Sequence, residues 1–226
     1  MTALETSPTT TPLSVAMREG SMAEHTEAEN AGFTSDLLGG KINELGYLHY
    51  LLGLRTIYRA LESVGRELAE APELNGLYDQ DLERGAALDA DISYWSARAG
   101  VDADHVSPAA SAYAERVEAT RSAPARYAAH HYTRYLGDLS GGLAIGRILA
   151  RTYGLDADGE GLAFYRFAQI EKPKVYKDDY RAALDALPVS EEQKSEIVTE
   201  VKAAFNCNQA FFVELGENLA AYQRAA

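Results

Sequence analysis

HHYTRYLGDLSGGLAIGRILA, residues 130–150, is the stretch on which the reading of the fold turns. Tyr132, Leu136, Leu139, Leu143 and Ile148 are among its apolar positions and recur with helical spacing, yet Gly137, Gly141, Gly142 and Gly146 lie inside it. Each interior glycine costs a helix about 1 kcal/mol relative to alanine, so the set costs about 4 kcal/mol in propensity. Something must benefit from the missing side chains. The pairs Gly137/Gly141 and Gly142/Gly146 would suit a membrane helix dimer in an apolar segment, but Arg134, Asp138 and Arg147 exclude that. In water, the bare strip admits either a closely packed helix or a flat ligand.

Outward from this stretch the periodicity is helical nearly everywhere. Pro124 opens the glycine-bearing helix and Gly154 can close it. Upstream, Ser14 can cap a first helix running to about Leu37, closed by Gly39-Gly40. A long segment, about 43–70, carries Leu45, Leu48, Leu52, Ile57, Leu61, Val64 and Leu68. Leu82, Leu88, Ile92 and Trp95 mark a third helix, ended by Gly100, and Ser107-Pro108 caps a fourth. Downstream, AFYRFAQI (163–170) reads as a short helix, and Pro173 starts another. Ser190 with Gln193 forms a capping box before Ile197, Val201, Phe205, Asn208, Phe212, Leu215 and Leu219. The expected fold is one all-α domain over 14–226, a helical bundle, behind a Thr/Pro-rich tail over 1–13 of disordered composition.

Composition narrows the partners. The chain has 226 residues and a net charge of −13, which argues against nucleic acid or an anionic membrane. Between Arg116 and Arg151, however, six arginines face only Glu118 and Asp138, a local excess of +4. The single cysteine, Cys207, excludes a disulfide framework, a four-cysteine metal site and covalent haem attachment. There is no apolar run near the ~18 residues of a membrane span, and the N-terminal segment has no basic n-region or apolar core. A cytoplasmic protein is expected.

Three weak signals stand out. His25 and Glu29 lie one helical turn apart, so the carboxylate could hold an imidazole tautomer and raise its basicity toward a metal, although such pairs are commonly surface contacts. Lys177 and Arg181 are like charges at i and i+4, which repel unless solvated or covered by an anion. Asp138 lies beside Gly137 and can pair with Arg134 one turn away. No histidine has a glutamate three residues before it, which weakens a di-iron bundle. His49, His105, His130 and His131 have no partner visible in the sequence and read as structural. An axial histidine, a bare helix strip and a cationic rim together suit a flat metallated disc with carboxylate tails, namely haem.

The segment 129–142, AHHYTRYLGDLSGG, closely resembles the distal-helix signature of the haem oxygenases. HTEAENAGF (25–33) resembles their proximal segment, and KDDYR (177–181) and AFNCNQAFF (204–212) match their later helices. The soluble form, with no C-terminal membrane tail, is similar to the bacterial branch. The resemblance implies haem b sandwiched between a proximal and a distal helix, both cofactor and substrate. It implies cleavage with O2 and an external electron donor to biliverdin, carbon monoxide and ferrous iron. It assigns His25 as axial iron ligand and Glu29 as its partner. Gly137 and Gly141 are assigned to the haem face, and Asp138, with Arg134 and Tyr58, to a distal water network. Arg18, Tyr132, Lys177 and Arg181 match positions near the propionates, and Phe205 and Asn208 the distal wall. Many relatives carry a second basic residue where this chain has Met22, so one propionate contact lacks its cation. A ferredoxin or flavin-dependent reductase is the expected redox partner, near the 116–151 arginines, to a protein expected to be a monomer. Two rivals remain: a haem carrier or sensor that returns haem intact, and a haem-free thiaminase-like helical enzyme.

Overall fold

Helix boundaries follow the local chemistry in most places. In a computed structural model, which describes residues 11–29, 31–156 and 159–224 and only the backbone of Glu29, helices dominate and no strand is longer than a single bridge. Asn43 caps α4 (Glu44–Glu67) by accepting from the Gly46 amide. Ser107 caps α6 (Pro108–Glu118) with proline at its first position. Ser190 and Gln193 form the reciprocal capping box of α10 (Glu191–Glu217). Gly100 and Gly154 take left-handed φ values of 68° and 65°, ending α5 (Gly85–Ala99) and α8 (Leu143–Tyr153). Each such cap is worth about 1 kcal/mol.

Two expectations are corrected. The first long helix is three: α1 (Leu13–Gly20), α2 (Met22–Glu29) and α3 (Gly32–Leu38). Its cap is not Ser14: the chain enters through Pro12, and Ser14 binds the Asp185 carboxylate through its amide at 2.8 Å and its hydroxyl at 3.0 Å. The first break falls where α1 meets α10, since a Cβ on Gly20 would stand 2.6 Å from Val198 Cγ1. The second correction is 163–170, where only Ala163–Tyr165 makes a helical turn before the chain extends at Arg166. Buried Asp91 holds that turn, accepting from the amides of Ala163 and Phe164 at 2.8 Å each. The tail reading over 1–13 falls largely on residues outside the described ones.

The core forms around α4, which packs on α5 and α6, while α10 packs on α7 (Pro124–His131), α6 and α1–α3. Leu48, Leu51, Leu54, Ile57, Leu61 and Val64 of α4 are fully buried. The α10 stripe divides: Ile197, Val201, Ala204, Phe211 and Leu215 enter the core, whereas Phe205 and Phe212 stay half-buried and line a cavity. The glycine segment continues α7 into α8 through two wide π-type turns, Tyr132–Leu136 and Asp138–Gly142, with Gly137 between them. Such turns inside α-helices cluster at functional sites.

Candidate functional site

A cavity of about 470 Å³ opens between α2 and these wide turns. His25 and Ala28 of α2 and Thr34 of α3 form one wall, and Thr133, Arg134, Gly137, Asp138 and Gly141 the other. Phe164, Tyr165 and Ile145 line it further, together with Phe205, Asn208 and Phe212 from α10. An apolar lining with a few convergent polar groups and a volume of several hundred Å3 describes a small-molecule site.

The four glycines do two different things. A Cβ on Gly137 or Gly141 would meet no heavy atom within 4 Å, so their backbone borders open cavity. On Gly142 and Gly146 it would stand 3.4 Å from Tyr165 Cδ1 and 3.1 Å from Tyr165 Cβ. The same strip is therefore packed by protein at one end and left bare at the other. Asp91 makes that division possible by fixing the turn that carries Tyr165.

Behind Gly137 lies a hydrogen-bond network. Tyr58, from α4, donates its phenolic proton to Asp138 Oδ2. Arg134 donates to Tyr58 Oη at 3.2 Å and to Asn208 Oδ1 at 2.8 Å, and stands 3.8 Å from Asp138 Oδ1. Its guanidinium also lies 5.0 Å from the Tyr58 ring centre. Burial pushes the Asp138 carboxyl above its ordinary range, against the pull of Arg134, the Tyr58 hydrogen bond and Arg84. Burial likewise holds the Tyr58 phenol well above its usual value, so Tyr58 remains the donor. Asp138 lines the cavity, and a carboxylate has more acceptor sites than the Tyr58 hydroxyl fills.

Among the described residues of the opposite wall, His25 is the metal-ligating side chain. His25 is exposed, with its ring 5.2 Å from Phe205 in an edge-on contact at 70°. Glu29 completes the helical turn, but its side chain lies outside the described residues. Among the described residues, no group of three or more His, Cys, Asp or Glu could hold a metal ion. A single imidazole facing a bare backbone suits a metal that brings its own planar ligands. The residues present fit haem.

The cationic rim is built less simply than the sequence implies. Asp178 already pairs with Arg181 at 3.0 Å and with Lys174 at 3.5 Å, easing the repulsion along the helix α9 (Pro173–Asp185). Lys177 donates to Ser140 Oγ at 3.2 Å, and Ser140 lines the cavity. Burial raises the Tyr132 phenol while Arg181 and Arg18 act on it in the opposite sense, which places both cations near this edge. Arg18 itself is exposed and 3.5 Å from Glu19, and Met22 is 58% exposed.

The arginine excess also resolves. Arg116 and Arg126 bind buried Glu200, at 2.6 Å and 2.9 Å through Nε, and His130 donates to the same carboxylate at 2.9 Å. Arg121 pairs with Glu118 and Glu67. Arg147 and Arg151 are left exposed on α8. The remaining histidines also have partners: His131 with Tyr180, and His49 with His105 and Tyr222.

A family model described as "Heme oxygenase" matches residues 11–214. The chain is 36% identical to a heme oxygenase of Pyropia yezoensis, covering 89% of this chain and 85% of that protein. It is 36% identical to heme oxygenase 1 of a Nostoc species, covering 90% and 85%. The crystal structure of heme oxygenase-1 from the cyanobacterium Synechocystis, in complex with heme, superposes with a TM-score of 0.86 at 35% identity, covering 93% of this chain and 95% of that one. With the family model spanning most of the chain and such relatives covering it nearly end to end, this protein belongs to the heme oxygenase family.

Proposed function

We propose that His25 ligates the iron of haem b, that Gly137 and Gly141 lie against the opposite face, and that Asp138 governs proton supply. The chain is an oxygen-dependent haem-degrading enzyme, and its reaction yields biliverdin, carbon monoxide and iron. Haem, when bound, supplies both the iron that reacts with dioxygen and the macrocycle that is cleaved. The residues supply position and electrostatics. His25 would hold the iron through its imidazole, and Glu29, one helical turn on, would accept the ring's other N–H. Gly137 and Gly141 remove the side chains that would hold the distal helix off the disc. Asp138, fixed by Tyr58 and Arg134, holds water beside that face, and no acid side chain need touch the reacting atoms. Phe205 and Asn208 complete the wall, and Lys177, Arg181, Arg18 and Tyr132 meet the propionates.

The bare strip carries this reading: Gly137 and Gly141 border open space on the wall facing the His25 imidazole. Electrons come from an external donor, a ferredoxin or flavin-dependent reductase, with exposed Arg147 and Arg151 as its docking cations, and the chain acts as a monomer. Haem titration followed by ascorbate under oxygen tests the proposal. A histidine-ligated Soret band that decays to biliverdin absorbance is expected. A stable Soret band would favour a haem carrier, and no Soret band a haem-free enzyme.

A further inference from the structure

The helix α9 carries two residue pairs with different surroundings. Tyr176 and Tyr180 point inward, and Lys177 and Arg181 follow each by one residue, about 100° further round the helix. Tyr176 donates to Asp79 Oδ2 at 2.7 Å, and the buried Tyr180 hydroxyl shares a hydrogen bond of 2.7 Å with His131 Nδ1. The His131 and Tyr180 rings are also parallel, 3° apart in plane with centres 5.6 Å apart. His131 is 1% exposed and is the last residue of α7, directly before the wide turns that form the distal wall. The contact thus ties the glycine wall to the helix bearing the cationic rim.

We propose that His131 is a positioning residue: through its hydrogen bond with Tyr180 it fixes the rotation of α9, hence where Lys177 and Arg181 stand, hence the in-plane orientation of haem. The inference rests on the reading that these two cations meet the propionates. Haem is nearly symmetric about its axis in shape, so its rotation within the cavity is set at its carboxylate edge. A cation placed on a helix that can turn defines that edge poorly. Lys177 reaches the glycine wall through one exposed contact with Ser140, and Arg181 hydrogen-bonds within its own helix, to Lys177 O and Asp178. The buried tie is the stiffer of the two constraints between α9 and that wall. Burial holds the imidazole near pKa 3, so the ring stays neutral throughout the working pH range and its hydrogen bond to Tyr180 is not lost to protonation.

The test counts haem orientations by proton NMR of the haem methyl groups in the ferric complex, alongside haem affinity and melting temperature. The parent should show one dominant orientation. Tyr180→Phe removes only the hydroxyl, and His131→Leu removes its hydrogen-bond partner; each should raise the second orientation about fivefold, the value of one net hydrogen bond. His131→Asn, which keeps an acceptor near Nδ1, should restore the parent ratio; a general loss of packing would not be rescued this way. Should His131→Leu fail to fold, Tyr180→Phe decides. An unchanged ratio in Tyr180→Phe, with mixed orientations in Lys177→Ala/Arg181→Ala, would overturn this inference alone. A single orientation in that double variant would instead overturn the propionate reading and this inference with it.

Discussion

Tyr58 and Asp138, eighty positions apart in sequence, share a buried hydrogen bond in which the phenol donates and the carboxylate accepts. The bond, with Arg134 beside it, holds the carboxylate at the cavity wall across from His25. Asp138→Ala should therefore bind haem with near-parent affinity yet lose biliverdin formation by about 10²-fold, the usual weight of a positioned proton-handling group. Dioxygen and reductant would still be consumed. Asp138→Asn should fall between, because an amide retains part of the hydrogen bonding. Normal biliverdin yield in Asp138→Ala would remove the carboxylate from the reaction.

The glycines make opposite predictions at the two ends of one strip. Gly137→Ala adds a methyl group where nothing lies within 4 Å, so helix propensity alone acts on the apoprotein. Its stability should rise by about 0.5–1 kcal/mol, some 2–3 °C in melting temperature. Haem affinity should fall, since the methyl occupies the binding space. Gly146→Ala meets Tyr165 Cβ at 3.1 Å and should show a smaller gain or a loss. Equal thermal shifts, with haem binding intact in both, would contradict the division.

How much of this was legible in the sequence follows from the range of each interaction. The caps at Ser107, Ser190, Gly100 and Gly154 are decided within four residues, and all appear as read. So does the pairing of Arg134 with Asp138, one turn apart. The purpose of each glycine was not legible, because Tyr165 reaches Gly142 and Gly146 only through Asp91, seventy-two positions before Ala163. The six arginines looked like a basic patch because Glu200, which absorbs Arg116 and Arg126, lies far along the chain. Local spacing also could not show the break between α1 and α2, which falls where α1 runs close against α10. The motif resemblance supplied what spacing could not, grouping Tyr58 with Arg134 and Asp138 and assigning Asn208 to the distal wall; the hydrogen bond between Arg134 and Asn208 was not part of that reading.

Glu200 should be a main contributor to acid stability. Burial opposes its ionisation, but His130, Arg116 and Arg126 outweigh that and hold its carboxyl far below the ordinary range. A depressed carboxyl stabilises the fold above its unfolded pKa and loses that contribution as pH falls toward the folded value. Glu200→Gln should cost about 2–3 kcal/mol at pH 7, below the full price of a broken buried pair because both arginine head groups reach water. The difference from the parent should persist at pH 5 and shrink below about pH 4.5. Melting curves across pH check both points, and a constant difference down to pH 3 would contradict the assignment.

His49 predicts a slope in a different window. Burial, then the stacked His105 ring 3.9 Å away, lowers its pKa to about 4, while Asp104 acts in the opposite sense. The unfolded chain takes up this proton near pH 6.5 and the folded chain only near pH 4. Stability should thus fall as pH drops from 6.5 to 4. His49→Gln, which can still meet the Tyr222 hydroxyl, should flatten the fall in this interval and leave the interval above pH 7 unchanged. A parent-like slope in the variant would locate the proton uptake elsewhere.

The central claim is that haem is held and degraded between His25 and the Gly137–Gly141 backbone. Its most direct measurement is biliverdin yield from the haem complex of His25→Ala, reduced under oxygen, with and without added imidazole. Without imidazole, haem should bind weakly, lose its histidine-ligated spectrum and give little biliverdin. With imidazole filling the space left by the side chain, both the spectrum and the yield should return. Parent-like spectrum and yield in the variant without imidazole would contradict the account.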